Sequence, residues 1–197
     1  MIKMMALGDS IFAGWNGTKR VADYRRIPEV IGKLNGWYVN NQASTGTTFR
    51  DFSSITTKLN FFTYSLLLIN YGVNDWMFGS SVNEVQSQLR SGISNVRQAN
   101  PDMRIFVMCP TLDLRTGSNT TLDTPNQSGL TQNQLNDAIV AICRENNIDY
   151  HDWRKQPVIT KDNSFWMLGD SFTGVHPTAA TSLKIGKILA NEMNGGI

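Results

Sequence analysis

The stretch Tyr64-Ser65-Leu66-Leu67-Leu68-Ile69-Asn70 is a continuous apolar run that ends on a polar residue. Strands that are covered on both faces of a parallel sheet show runs of this kind, because neither face of such a strand meets water. Residues 2–7 and 103–109 form two similar runs, one before and one after it along the chain. The three runs predict strands inside a parallel sheet.

Helical patterns alternate with the predicted strands. Apolar residues at three- and four-residue spacing predict helices at residues 21–34, 49–59, 82–98, 131–147 and 178–193. Two further short strands are predicted at residues 37–41 and 148–151. This alternation predicts an α/β fold: a single domain over residues 1–197 with three α/β/α layers around a five-stranded parallel sheet. Sheets of this kind bind ligands beyond the carboxyl ends of their strands.

The composition argues against several classes of protein. Hydrophobic residues make up 41% of the chain and charged residues 17%, which favours a folded domain over a disordered chain. The net charge is only +2 and no lysine or arginine run exceeds two residues, so no nucleic-acid surface is expected. No apolar stretch is long enough to span a membrane. The oligomeric state is left open.

Residues 1–8 lack the apolar core and cleavage site of a signal peptide, and they are predicted to form the first strand instead. The protein is therefore expected in the cytoplasm by default, unless a signal was removed or another export route is used. Cys109 and Cys143 have no metal-ligand spacing and are expected to be buried thiols. Neither a metal ion nor another cofactor is predicted.

Three polar clusters directly follow three predicted strands. They are Gly8-Asp9-Ser10, Ala43-Ser44-Thr45-Gly46 and Gly72-Val73-Asn74-Asp75. Because parallel strands end at the same edge of a sheet, the clusters are expected to converge. Acyl transfer needs such a set, since it combines a hydroxyl nucleophile with hydrogen-bond donors for the developing oxyanion. Asp9 and Asp75 are expected to hold the loops by accepting backbone hydrogen bonds.

A serine nucleophile also needs a base, and the chain has only two histidines. His151 ends the last predicted strand, whereas His176 lies in a polar loop before the last helix. His176 is the better candidate for the base.

The blocks Gly8-Asp9-Ser10-Ile11, Gly46, Gly72-Val73-Asn74-Asp75 and Gly174-Val175-His176-Pro177 together resemble the successive motifs of the SGNH/GDSL hydrolases, in the same order. The resemblance implies a flavodoxin-like sheet and a serine esterase. It also implies that Ser10 is the nucleophile and His176 its base. The oxyanion donors would be the backbone N–H groups of Ser10 and Gly46 and the side-chain amide of Asn74.

The sequence departs from the family at one position. An aspartate usually precedes the histidine by three residues, but Thr173 stands there. Asp170 reaches the ring if the loop bends at Gly174, since glycine permits unusual backbone angles. Otherwise the Thr173 hydroxyl or a main-chain carbonyl orients His176. A third interpretation is an impaired site that only binds.

The substrate is predicted to be a short-chain acyl ester, with a carbohydrate O-acetyl ester as one candidate. A short-chain lipase or thioesterase of the same family, or an impaired carbohydrate-binding module on the same fold, are the alternatives. Trp15 and Trp76 follow the Ser10 and Asn74 blocks, so they either contact substrate or belong to the core. The loop at residues 115–129 is either a surface excursion or a flap over the substrate.

Overall fold

A sheet of five parallel strands runs through the computed structural model, which describes residues 1–117, 119–171 and 173–195. The strands are β1 (Lys3–Gly8), β2 (Tyr38–Asn41), β3 (Leu66–Asn70), β4 (Arg104–Met108) and β5 (Asp149–His151). Their order in the sheet is β2-β1-β3-β4-β5, and every neighbouring pair is parallel. This is the flavodoxin-like order, and it confirms the predicted α/β fold.

The helices cover both faces of the sheet. They are α1 (Ile27–Asn35), α2 (Phe49–Thr56), α3 (Val73–Met77), α4 (Val82–Ala99), α5 (Gln132–Glu145), α6 (Ser164–Met167) and α7 (Ala179–Asn194). A single 3-10 turn at Asp23–Arg25 precedes α1. None of the described helices is both long enough and apolar enough to cross a lipid bilayer.

Side chains alternate along each central strand and divide the core into two halves. In β1, Met5 and Leu7 pack with α2, α4 and α5, while Met4 and Ala6 pack with α1 and α7. A strand with apolar residues on both faces can bury all of them only between two helical layers. Cys109 is buried as a free thiol, as the sequence predicts.

The ends of the longer helices follow local sequence signals. Thr131 caps α5, because its hydroxyl accepts a hydrogen bond from the Gln134 amide at 3.1 Å. Pro28 lies in the first turn of α1, where its missing N–H costs nothing. Helices α3 and α6 were not predicted, since segments of five and four residues are too short to show a helical period.

Helices α2 and α4 approach closely at Gly92. A Cβ atom at this position would overlap the ring of Phe52, which is itself fully buried. The close contact between α2 and α4 therefore requires glycine at this position.

We expect Gly92→Ala to lower the free energy of unfolding by about 1–3 kcal/mol, because an added methyl overpacks the contact with Phe52. Urea unfolding measures the change. Ser87→Ala on the exposed side of the same helix is the matched control and should stay within about 0.5 kcal/mol of the wild type. Equal stability of the two variants would contradict the packing argument.

Candidate active site

The candidate site lies where the strand order reverses. From β1 the chain first turns to α1 on one face of the sheet, and from β3 it turns to α3 and α4 on the other. The loops that follow β1 and β3 therefore diverge, and in sheets of this kind such a divergence marks the crevice at the carboxyl ends of two neighbouring strands. Ser10 follows β1 and Asn74 follows β3, so both are placed at this crevice.

A tight turn after β1 holds Ser10. The Asp9 carboxylate accepts the Ile11 amide at 2.9 Å, and the Trp15 amide donates to the Ser10 carbonyl at 2.9 Å. Gly8 ends the strand without a side chain, because a Cβ there would lie 2.8 Å from the carbonyl oxygen of Asn70 in β3. The nucleophile candidate is 3% exposed and its backbone is fixed on both sides.

Ser10, His176 and Asp170 form a chain of hydrogen bonds. Ser10 Oγ lies 2.9 Å from His176 Nε2, and His176 Nδ1 lies 2.7 Å from Asp170 Oδ2. The backbone amide of Val175 also donates to Asp170, at 3.1 Å. A carboxylate only accepts, so Nδ1 carries the proton and Nε2 is free to accept from the serine hydroxyl.

The turn that carries His176 closes on Asp170. Leu168 and Pro177 pair as an antiparallel bridge, and the Gly169 amide donates to the His176 carbonyl at 2.8 Å. Burial alone would raise the pKa of Asp170, but the hydrogen bonds from His176 and Val175 lower it below its usual value. The carboxylate is therefore ionised at neutral pH.

Of the partners for His176 that the sequence left open, the structure places Asp170 at the ring. The Thr173 hydroxyl lies 3.0 Å from Ser171 Oγ instead. Gly174 acts differently from the expectation, because its φ is not in the left-handed region. A Cβ at Gly174 would overlap the Asp170 carboxylate, and a Cβ at Gly17 would overlap the Asp170 backbone and Cβ. Both glycines make room for the aspartate.

The three candidate oxyanion donors lie on loops that touch one another. Asn74, in the first turn of α3, donates its Nδ2 to the Thr47 carbonyl at 3.0 Å. Thr47 directly follows Gly46, and its hydroxyl donates to the Gly8 carbonyl at 3.2 Å. The N–H groups of Ser10 and Gly46 donate to no other residue in the described part of the chain.

The remaining candidates lie elsewhere. His151 pairs with Glu192 of α7 at 2.6 Å and takes no part in the Ser10 contacts. Trp76 is 1% exposed and packs in the core, so the structure favours the core interpretation for it. Trp15 is partly exposed beside the Ser10 turn. Within the described ranges, no group of three His, Cys, Asp or Glu side chains is arranged to hold a metal ion.

The described part of the loop at residues 115–129 lies beside α3. Asn126 Nδ2 donates to the Ser80 carbonyl at 3.1 Å, and Ser128 Oγ donates to the Gly79 carbonyl. Arg115, at the start of this loop, contacts Asn74. No sequence motif marked Arg115, because its partner is 41 residues away. A role of the loop as a flap stays a prediction.

Two buried carboxylates support the loops. Asp9 holds the Ser10 turn, and Asp75 accepts the Phe49 amide at 3.2 Å at the start of α2. Burial raises the pKa of each to about 7, since little water remains to solvate the charge.

The sequence profile of the GDSL-like lipase/acylhydrolase family matches residues 6–182. The chain therefore belongs to this family, and the resemblance to the SGNH/GDSL hydrolases is confirmed. As a member, the protein is a carboxylic ester hydrolase. Among curated proteins, none matches the sequence significantly.

Solved esterases share the fold. Est24, a carbohydrate acetylesterase from Sinorhizobium meliloti, has a TM-score of 0.72 at 13% identity, with 100% of both chains covered. A lipase/acylhydrolase from Enterococcus faecalis has a TM-score of 0.74 at 16% identity, covering 99% of this chain and 96% of that one. The M. smegmatis aryl esterase has a TM-score of 0.72 at 15% identity, with 99% of both chains covered. At these identities the likeness concerns the fold.

We expect Asp9→Asn to gain stability relative to the wild type as the pH rises from about 5 to about 8. The pKa of Asp9 is about 7 in the folded state against an ordinary value of 3.8, so between these pH values the folded state binds a proton that the unfolded state has lost. The free energy of unfolding of the wild type therefore falls as the pH rises through about 7, whereas Asp9→Asn lacks this effect. Urea unfolding at both pH values measures the difference. Asp102→Asn, at an exposed carboxylate, is the control and should follow the wild type. A pH-independent difference between Asp9→Asn and the wild type would contradict the buried-carboxylate interpretation.

Proposed function

We propose that the protein hydrolyses short-chain acyl esters through an acyl-enzyme intermediate on Ser10. The observation that carries this proposal is the unbroken chain from Ser10 Oγ through both ring nitrogens of His176 to the Asp170 carboxylate. A serine hydroxyl is a weak nucleophile until a base accepts its proton, and here the base has its acceptor nitrogen 2.9 Å away.

The reaction has two halves. Ser10 Oγ attacks the ester carbonyl while its proton passes to His176 Nε2, and the Asp170 carboxylate stabilises the imidazolium that forms. The carbonyl oxygen becomes an oxyanion, which the amides of Ser10 and Gly46 and the Asn74 side chain stabilise by hydrogen bonds. The C–O bond to the alcohol breaks and the alcohol takes the proton from His176. Water then repeats these steps on the acyl-enzyme, releasing the acid and restoring Ser10.

The alternative of an impaired binding module depended on Thr173 in place of an aspartate. Asp170 lies at the His176 ring from a position six residues earlier in the chain, and this contact supports an active site over an impaired one. The other alternative, a short-chain lipase or thioesterase, differs only in the ester it takes. Rates on p-nitrophenyl esters of increasing chain length, and on an acyl thioester, distinguish these choices.

We expect Ser10→Ala and His176→Ala to lower kcat for p-nitrophenyl acetate by at least about 10³-fold, because each removes a partner in proton transfer. Asp170→Asn should lower kcat by about 10²–10⁴-fold, since the imidazolium then loses its counter-charge. Thr173→Val is the matched control in the same turn, and its kcat should stay within about twofold of the wild type, far from the losses expected for the other variants. A wild-type kcat in Ser10→Ala would contradict the proposal, and so would equal losses of kcat in Asp170→Asn and Thr173→Val.

For the alcohol part we propose a carbohydrate, so that the ester is an O-acetyl group on a sugar. Phe165 and Trp166 of α6 are 64% and 74% exposed, with their rings edge-on at 4.7 Å. They directly precede the turn that carries Asp170 and His176. Aromatic faces suit the apolar faces of sugar rings, and a protein of the same fold is the carbohydrate acetylesterase Est24.

We expect Trp166→Ala to raise KM for an acetylated xylo-oligosaccharide by about 2–12-fold, because the loss of one stacking aromatic costs about 0.5–1.5 kcal/mol. KM for p-nitrophenyl acetate should not change. Release of acetic acid from each substrate is measured. Phe62→Ala, at an exposed aromatic between α2 and β3, is the control and should leave both values unchanged. Equal KM values for Trp166→Ala and the wild type would contradict the sugar assignment.

A further inference from the structure

Arg115 lies beside Asn74, and we propose that it is a positioning residue that orients the Asn74 amide towards the oxyanion. Its Nη1 donates to Asn74 Oδ1 at 3.4 Å, and its Nη2 donates to the carbonyl of Val73 at 2.8 Å. The guanidinium thus holds the Asn74 side chain and the backbone just before it. The inference rests on the oxyanion role proposed above for Asn74.

The guanidinium determines which end of the amide faces the crevice. Arginine has donors and no acceptor, so only Oδ1 of Asn74 can face it. Nδ2 then points the other way, where one of its two N–H groups donates to the Thr47 carbonyl at 3.0 Å. The second N–H remains for a substrate oxygen. A rotated amide would place its NH₂ group against the cation and lose both contacts.

Asp113 fixes the guanidinium in this position. Its carboxylate is buried, and it accepts from Arg115 Nε at 3.0 Å and from Nη2 at 2.6 Å. This side-on pair leaves Nη1 as the free end of the fork, directed at Asn74. The backbone of Asp113 is in turn held by Gln132, which accepts its N–H and donates to its carbonyl, each at 2.8 Å. The oxyanion donor is therefore oriented before substrate arrives.

The same three-residue segment also reaches the histidine turn. The Leu114 amide, between Asp113 and Arg115, donates to the Gly174 carbonyl at 3.0 Å. One short stretch after β4 thus connects the Asn74 side of the crevice with the turn that carries His176.

The chain contains a second Asp-x-Arg pair of the same local geometry. After β5, the Asp152 carboxylate accepts from Arg154 Nε at 2.9 Å and from Nη2 at 2.8 Å. Nη1 of Arg154, however, donates to the Asn133 carbonyl and to Asp137 on α5. Arg154 therefore offers a matched control, because it supports a loop in the same way without contacting the site.

We expect Arg115→Ala to lower kcat for p-nitrophenyl acetate by about 10–100-fold, with KM within about twofold of the wild type. The loss falls on kcat because the Asn74 hydrogen bond strengthens only as the oxyanion forms. It stays below the 10²–10³-fold cost of removing a whole donor, since a misoriented amide still contributes in part. Arg154→Ala should leave kcat within about twofold, which is small beside those losses.

A double-mutant cycle with Asn74→Ala decides whether Arg115 acts through Asn74. In the Asn74→Ala background, removal of Arg115 should change kcat by less than about twofold, because no amide is left to orient. Additive losses, or an unimpaired Arg115→Ala beside an impaired Asn74→Ala, would overturn the inference while leaving the proposed function intact. An unimpaired Asn74→Ala would overturn the oxyanion role and this inference with it. Wild-type activity in Ser10→Ala would place the ester hydrolysis elsewhere and overturn both.

A second variant keeps the test valid if Arg115→Ala does not fold. Arg115→Lys retains the charge, but a single ammonium group cannot pair side-on with Asp113 and reach Asn74 together. We expect a lowered kcat in a variant that still folds, with circular dichroism as the check on folding. Wild-type kcat in Arg115→Lys would show that charge alone suffices and would overturn the orienting role.

Discussion

The hydrogen bonds on the Asp170 carboxylate set the proton arrangement of the whole site. The His176 ring and the Val175 amide both donate to it, and together they more than offset the tendency of burial to raise its pKa. An ionised carboxylate at Nδ1 leaves only one neutral tautomer, in which Nε2 accepts from Ser10. The hydrogen-bond acceptor that faces Ser10 Oγ is thus fixed by contacts of Asp170 and Val175, which are distant in sequence from Ser10.

The geometry of that turn explains how an aspartate six residues before the histidine can replace one at three. Leu168 and Pro177 pair as two antiparallel arms, and the Gly169 amide bonds the His176 carbonyl across them. Residues that face one another across two antiparallel segments are neighbours in space, whatever the number of residues between them in the chain. Gly17 and Gly174 are required by the same arrangement, because the aspartate occupies the space that their side chains would fill.

The features predicted from the sequence are those that depend on local patterns. Three kinds of signal are local: the apolar runs at β1, β3 and β4, the helical period of α4 and α5, and the motifs at the strand ends. Because these signals can be read within short segments, the fold and its family could be predicted. The contact of Asp170 with the His176 ring could be predicted only as one of several alternatives, because it depends on the antiparallel pairing of Leu168 with Pro177. Arg115 was missed for the same reason: its contact with Asn74 arises only after β3 and β4 are aligned. Trp76 was ambiguous, since an aromatic residue after a strand can face either a pocket or the core.

Negative charge beneath an oxyanion opposes catalysis, and three buried carboxylates lie near the crevice. Burial raises the pKa of Asp9 and of Asp75 to about 7, so each carries much less charge near neutral pH than an exposed aspartate would. Burial raises the pKa of Asp113 as well, and its pairing with Arg115 offsets part of that effect. The Arg115 charge also acts on Asp9, where it lowers the pKa against the larger effect of burial. Arg115 therefore neutralises the buried Asp113 carboxylate with one side of its guanidinium and contacts Asn74 with the other. A neutral residue at this position could donate a hydrogen bond to Asn74, but it would leave the buried Asp113 carboxylate without a counter-charge.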